Sequence, residues 1–449
     1  MCTKKSNNAS RHAITSALLG SSPEVSLSSL LPPQNQLTRA LDIMDIRQSR
    51  FVGPPTPIAS RENASMATLP DLFVLFIAPE PKVNPHYEEV KRESEEWMRK
   101  TLWKDLSERD IKKRCSADFC FFSAIMCPDV SKEEFRTVCD WIYWVFEFDD
   151  QFDEGELGRD HDKGMSEVAA MVSIITGKSE HREPSVRPRP NARHFPSFLP
   201  ENAPKRLATT VTSAAVNEVE ASSVPKDSAT ASEKATPLQL LFQSIWERIQ
   251  KSSPRAVRER YVKSNVHFCH SVAELHGEEF DDMAVMENIR RYLHVRAQNI
   301  GLYPLLALEE YAYGVDLPQD VVEHEAIQEI ERLVAEILTL QNDILSYHRE
   351  HSVGHSQNLI SIFRRRLGLT QQQSYDRADE LLHRCYRQWY VAHAKVPCWG
   401  EKVDAQVQQY LKACLDVLRA NVRWSFKSQR YFGADVDRVR ATRRVVLVP

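Results

Sequence analysis

Asn342-Asp343-Ile344-Leu345-Ser346-Tyr347-His348-Arg349-Glu350 lies inside a long helical pattern. On a helix, residues four apart share a face. Asn342, Ser346 and Glu350 therefore stack on one stripe, presenting an amide oxygen, a hydroxyl and a carboxylate. All three are hard oxygen ligands of the kind magnesium takes while it keeps waters and shares phosphate oxygens. Arg349 sits beside Glu350, within reach of a phosphate oxygen. Ile344, Leu345 and Leu338 anchor the neighbouring face. The same residue types also occur on solvated helix faces, so this stretch alone leaves both readings open.

A second stretch lies upstream. Trp144-Val145-Phe146-Glu147-Phe148-Asp149-Asp150-Gln151-Phe152-Asp153-Glu154 joins an aromatic helix to a carboxylate cluster. Asp149 and Asp153 are one helical turn apart, as are Asp150 and Asp153, so they can converge on one ion cluster. Carboxylates at the end of an apolar helix are costly unless water or a metal neutralises them. A solvated acidic helix end is the other reading.

Together the two stretches resemble the paired metal motifs of class I terpene synthases: an aspartate-rich DDxxD motif, then NDxxSxx(K/R)E, in that order along the chain. Arg296, 46 residues before Asn342, stands in the place of that family's diphosphate-sensing arginine. Arg430-Tyr431 looks like the family's C-terminal Arg-Tyr pair. The resemblance is closest to fungal, particularly basidiomycete, sesquiterpene synthases and covers about residues 66 to 433, apart from one insertion.

The resemblance implies an all-α, single-domain helical bundle around a central apolar cavity. It implies a lyase of secondary isoprenoid metabolism, a terpene cyclase that ionises and cyclises farnesyl diphosphate and releases diphosphate. A cluster of three Mg2+ ions is the family pattern. Asp149, Asp153, Asn342, Ser346 and Glu350 would hold metal, with Asp150 beside them. Arg296, Arg349, Arg430 and Tyr431 would bind the diphosphate. Phe119, Phe122, Trp144, Phe148 and Trp424 are candidates for the apolar pocket, though aromatics at helical spacing more often fill a core. Asp343 follows the key amide but points about 100° away from the stripe, and reads as structural. One departure stands out: Gln298, Asn299 and Ile300 replace the family's usual run after the sensor arginine. Asn299 can still link to Arg296 by a hydrogen bond.

Composition bounds the remaining choices. Only 13 glycines in 449 residues, with long helical periodicity, argue for an all-α protein. The net charge of −4 and the lack of a basic patch interleaved with aromatics give no sign of a nucleic-acid partner. No run of 18 or more apolar residues occurs, so no spanning helix is expected. The N-terminus lacks the regions of a signal peptide. A soluble cytoplasmic monomer is the expectation. Nine cysteines lack zinc-site spacing and read as buried small hydrophobes in a reducing compartment.

Along the chain, residues 1–65 are rich in Ser, Asn and Pro and read as a disordered extension. Helices are expected at Tyr87–Trp103, 110–127, 131–149 and Lys163–Thr176. The helix at 131–149 carries Phe135, Val138, Trp141, Ile142, Val145 and Phe148 on one face. Ser131 and Glu134 have capping-box spacing at its start. Residues 177–236 hold many prolines and little hydrophobic period, and read as an exposed low-complexity insertion. Helices resume at 238–249, 254–276, 285–298, 302–313, 320–351, 358–366, 370–394 and 400–424. Glu278-Glu279-Phe280-Asp281-Asp282 lacks an acid four residues after Asp281 and reads as an acidic loop. Residues 434–449 are basic and short, and read as a solvated tail.

Two alternatives remain at this level. A prenyl diphosphate synthase usually carries two aspartate-rich motifs, which Asn342-Asp343 with Ser346 and Glu350 disfavours. A non-catalytic helical scaffold derived from a terpene synthase is disfavoured by the intact motifs.

Overall fold

The structure is a computed structural model that describes residues 66–177, 235–275, 285–354 and 357–448. The expected extension 1–65, nearly all of the insertion and the acidic Glu278–Asp282 stretch lie outside the described residues. The helices are α1 (Tyr87–Lys100), α2 (Glu108–Ser116), α3 (Phe119–Met126), α4 (Lys132–Asp153), α5 (His161–Thr176), α6 (Pro237–Ser252), α7 (Arg255–Leu275) and α8 (Val285–Asn299). They continue with α9 (Leu302–Tyr313), α10 (Gln319–Val322), α11 (Glu325–Ser352), α12 (Leu359–Leu367), α13 (Gln371–His393), α14 (Glu401–Ser425) and α15 (Val436–Thr442). Two short strands, β1 (Met66–Thr68) and β2 (Arg444–Val446), pair antiparallel. The all-α expectation holds. No helix among the described residues is long and apolar enough to cross a membrane.

Helix α4 is built as its sequence implies. Phe135, Val138, Trp141, Ile142 and Phe148 are buried, and Val145 packs against the core. The helix faces α3 and α6, while α11 packs on α13 and α14. α4 runs four residues past the expected end at Asp149, because Phe152 is buried and packs on Phe148 with ring centroids 5.0 Å apart. The carboxylates thus occupy its last turn. Ser131 is the N-cap, but its hydroxyl meets the Glu134 carboxylate and caps no backbone N–H, so the expected capping box is not formed. Complete capping boxes occur instead at Thr236/Gln239 and Thr370/Gln373.

Other boundaries differ for reasons only tertiary contacts supply. The expected helix at 110–127 is two, α2 and α3, broken at Asp118, whose φ is 50°. Aspartate tolerates this left-handed region better than most residues. Here its carboxylate accepts from the Tyr87 hydroxyl at 2.6 Å and pairs with Lys91 at 2.9 Å. The break expected between α8 and α9, by contrast, is present, and the chain turns there at Gly301, with φ of 77°, a conformation open to glycine at no steric cost. The solvated tail is a correction. Residues 436–442 are helical, β2 pairs with β1, and Val439 and Val445 are buried in the core. The arginines at 438, 440, 443 and 444 hid this apolar spacing.

All eight described cysteines are free, and six of them are buried, as expected. One has a consequence. Cys127 donates its S–H to Glu309 Oε1 at 3.2 Å, and Glu309 is 1% exposed with Oε2 unpartnered among the described residues. Burial pushes this carboxyl up to about 8; the Cys127 bond and Lys412 oppose the shift, and the Asp416 carboxylate adds to it. A folded-state value above the unfolded one means stability is fully present below the ordinary value and is lost as pH rises through about 8. Glu309→Gln cannot ionise. Its stability relative to the parent is expected to improve by about 2–4 kcal/mol between pH 5 and pH 9. Urea denaturation at both pH values measures this, and a constant difference would contradict it.

Candidate active site

The stripe on α11 faces a set of polar partners. Asn342 Oδ1 accepts from Arg296 Nη2 at 3.3 Å, and its Nδ2 donates to the Tyr431 hydroxyl at 3.0 Å. Ser346 is 1% exposed, yet its Oγ has no partner among the described residues. Serine in mid-helix often bonds the carbonyl four residues back; this one does not. Glu350 Oε2 accepts from Asn358 Nδ2 at 2.9 Å. Asp343 points off the stripe: its Oδ2 accepts from the Tyr292 hydroxyl at 2.6 Å and from the Leu359 N–H at 2.9 Å. Burial pushes Asp343 up to about 7, against the opposing charge of Arg296. Asn299, expected to link to Arg296, accepts from its Nη1 at 3.0 Å.

The last turn of α4 supplies the opposite side. Burial, then the carboxylates of Asp153 and Asp150, push Asp149 well above the usual range, against the opposing charges of Arg296 and Arg430. Asp150 behaves differently. Burial would raise it, but Arg430, aided by Arg349 and Arg114, holds it below the usual range. Arg430 grips Asp150 in a two-pronged pair, Nη2 to Oδ1 at 2.8 Å and Nη1 to Oδ2 at 3.2 Å, the strong geometry for this pairing. Arg349 reaches Asp150 at 3.4 Å and also pairs with Glu154.

These contacts join Asp150 to Arg349 and Arg430, and Asn342 to Arg296 and Tyr431, residues from four distant parts of the chain. Arg349 joins α11 to the end of α4, Arg430 joins the C-terminal segment to it, and Tyr431 meets Asn342. Asp150 is engaged as an arginine anchor. Among the described residues no three His, Cys, Asp or Glu side chains converge on one point; the acids are interleaved with guanidinium groups. The oxygen set expected from the sequence mixes carboxylates with the Asn342 amide and the Ser346 hydroxyl. That donor chemistry fits magnesium. The unpartnered Ser346 Oγ and the electrostatically burdened Asp149 are both groups that a cation would satisfy.

Aromatic side chains pack beside this rim. Phe119 stacks on Phe146 at 4.3 Å, Trp424 lies 5.3 Å from Phe146 and 5.6 Å from Phe122, and Tyr431 meets Trp424 edge-on at 5.6 Å. Arg430 lies over Phe146 at 4.8 Å, a cation–π distance. Trp144 stacks on Phe148 and Phe242 at 5.1 and 4.2 Å. Sequence reasoning passed over three contributors: Phe146, Asn358, and Glu147, which accepts from Arg114 at 3.1 Å and from the Trp103 indole at 2.9 Å. Asn358 stands directly before an apolar helix, which marks it as an N-cap, but no spacing rule connects it to Glu350.

Comparison with known proteins points the same way. Residues 202–388 match the family model described as terpene synthase family 2, C-terminal metal binding. The chain is 35% identical to a silphinene synthase from Penicillium patulum, over 85% of this chain and 89% of that one. It is 30% identical to terpene cyclase 4 from Gibberella fujikuroi, over 88% and 93%. Its fold is similar to that of the crystal structure of an α-eudesmol synthase, with a TM-score of 0.58 and 19% identity, covering 77% of this chain and 96% of that one. With a relative this similar along almost its whole length, and a metal-binding family model that spans the Asn342–Glu350 stripe, the chain belongs to the terpene synthase family, whose cyclases are lyases.

Proposed function

We propose that this chain is a sesquiterpene synthase that ionises farnesyl diphosphate with magnesium, cyclises the cation and releases diphosphate. The observation that supports this reading is that Arg349 of α11 and Arg430 of the C-terminal segment both pair with Asp150 in the last turn of α4, while Tyr431 meets Asn342. Asp149, Asp153, Asn342, Ser346 and Glu350 would hold the metal. When bound, it supplies Lewis-acid charge withdrawal and a template for the diphosphate.

The chain's own residues do the rest. Arg296, Arg349 and Arg430 offer permanently charged forked donors to the diphosphate oxygens as the allylic carbon–oxygen bond breaks. The Tyr431 hydroxyl adds a further donor. The packed aromatic layer of Phe119, Phe146 and Trp424 keeps water from the cation, and ring faces turned toward the substrate stabilise positive charge.

The test is incubation of purified protein with geranyl, farnesyl and geranylgeranyl diphosphates, with magnesium or with chelator, followed by gas chromatography and mass spectrometry. A C15 hydrocarbon or alcohol from farnesyl diphosphate is expected, and it is expected to vanish when chelator removes the metal. A longer prenyl diphosphate, formed when isopentenyl diphosphate is added, would move the chain to the elongating enzymes. Silence from folded protein with every substrate would favour a non-catalytic role.

A further inference from the structure

Glu350 ends the metal-facing stripe in the last turn of α11, where helices fray. A carboxylate there has several rotamers, and only some point along the stripe. Its neighbour across the α11–α12 connection is Asn358, which is fully buried. Every polar atom of this side chain is engaged. Nδ2 donates to Glu350 Oε2 at 2.9 Å and to the Asp343 carbonyl at 2.9 Å, and Oδ1 accepts from the Ile360 N–H at 2.8 Å. A reciprocal pair locks the same junction, since Asp343 Oδ2 accepts from the Leu359 N–H at 2.9 Å. The start of α12 is thus tied to the turn of α11 that carries Asn342. The Asn358 amide is fixed at one end by its cap, and its other end meets one oxygen of Glu350.

We propose that Asn358 is a positioning residue for metal binding: it holds Glu350 Oε2 so that the remaining carboxylate oxygen is presented to the ion. The inference rests on the metal role proposed for Glu350. The physical reason is general. A ligating carboxylate held by an outer hydrogen bond loses little orientational freedom on binding, and removing such partners typically weakens metal binding about ten- to hundredfold. The capping role of Asn358 is separable from this one. Serine at an N-cap accepts the same kind of backbone bond, but its shorter side chain carries no amide to extend to Glu350.

The experiment uses the full chain and reads thermal unfolding while magnesium is titrated in the presence of inorganic diphosphate, without turnover. Asn358→Ser is expected to fold and to raise the half-saturating magnesium concentration about ten- to hundredfold. In a Glu350→Ala background the same substitution is expected to change it less than about twofold, because the group it acts through is gone. A wild-type-like titration by Asn358→Ser would overturn the proposal. So would an equal loss in both backgrounds, the mark of a purely structural role. Should Asn358→Ser fail to fold, Asn358→Asp, which keeps the volume and the cap but puts a like charge beside Glu350, takes its place with a larger expected loss. If neither folds, Asn358 is structural and the proposal falls. A wild-type chain with no response to magnesium and diphosphate would instead sink the metal assignment itself.

Discussion

Asn342→Ala is expected to lower kcat/KM for farnesyl diphosphate by at least about a thousandfold, ~4 kcal/mol of transition-state stabilisation. The residue sits where three parts of the site meet. Its amide oxygen faces Arg296, its amide nitrogen holds the Tyr431 hydroxyl, and it heads the stripe shared with Ser346 and Glu350. Alanine removes the proposed metal ligand and releases the tyrosine in one step. The fold should survive. Asn342 is only half-buried, and two lost hydrogen bonds of about 0.5–1.5 kcal/mol each are tolerable for a helix anchored by Leu338, Ile344 and Leu345. Steady-state kinetics beside a circular-dichroism melt tests this. Full activity with magnesium present would remove Asn342 from the metal set.

Arg430→Ala is expected to strike stability and catalysis by separable routes. The arginine side chain is 11% exposed and its partner Asp150 is 21% exposed. Removing one member of such a pair strands the other, a loss of about 2–3 kcal/mol when Arg349 compensates only in part. Substrate affinity is expected to fall at least about tenfold, ~1.4 kcal/mol, as a forked donor leaves the proposed diphosphate site. The double variant Arg430→Ala/Asp150→Asn separates the two. It no longer strands a charge, so the melting temperature should recover while the affinity does not. Recovery of both would mean that Arg430 serves only Asp150.

What the sequence made legible was local. The stripe of Asn342, Ser346 and Glu350 follows from helical spacing, and the apolar face of α4 follows from the same rule. The break between the helices expected at 285–298 and 302–313 was legible too, and the structure places Gly301 in it. What escaped depended on residues far apart along the chain. Asp150 reads as one more acid in a cluster, and only the fold pairs it with Arg430, 280 positions away. Asn358 is visible as a cap and invisible as the neighbour of Glu350. Asp118 breaks a helix because Tyr87 and Lys91 hold its carboxylate, and no short pattern contains that fact. The C-terminal arginines concealed valines whose burial becomes apparent only when β1 is beside them.

The β1–β2 ribbon changes the status of the segment that carries Arg430 and Tyr431. A tail is tethered once; this segment is tethered twice, by α14 behind it and by the pairing of Arg444–Val446 with Met66–Thr68 ahead. It is therefore a closed loop, and the effective concentration of its guanidinium near Asp150 is set by loop geometry. A free end would have to surrender about 1–2 kcal/mol of backbone entropy per residue each time it ordered over the substrate. Three residues of strand thus spare this segment the ordering entropy that an untethered one would surrender.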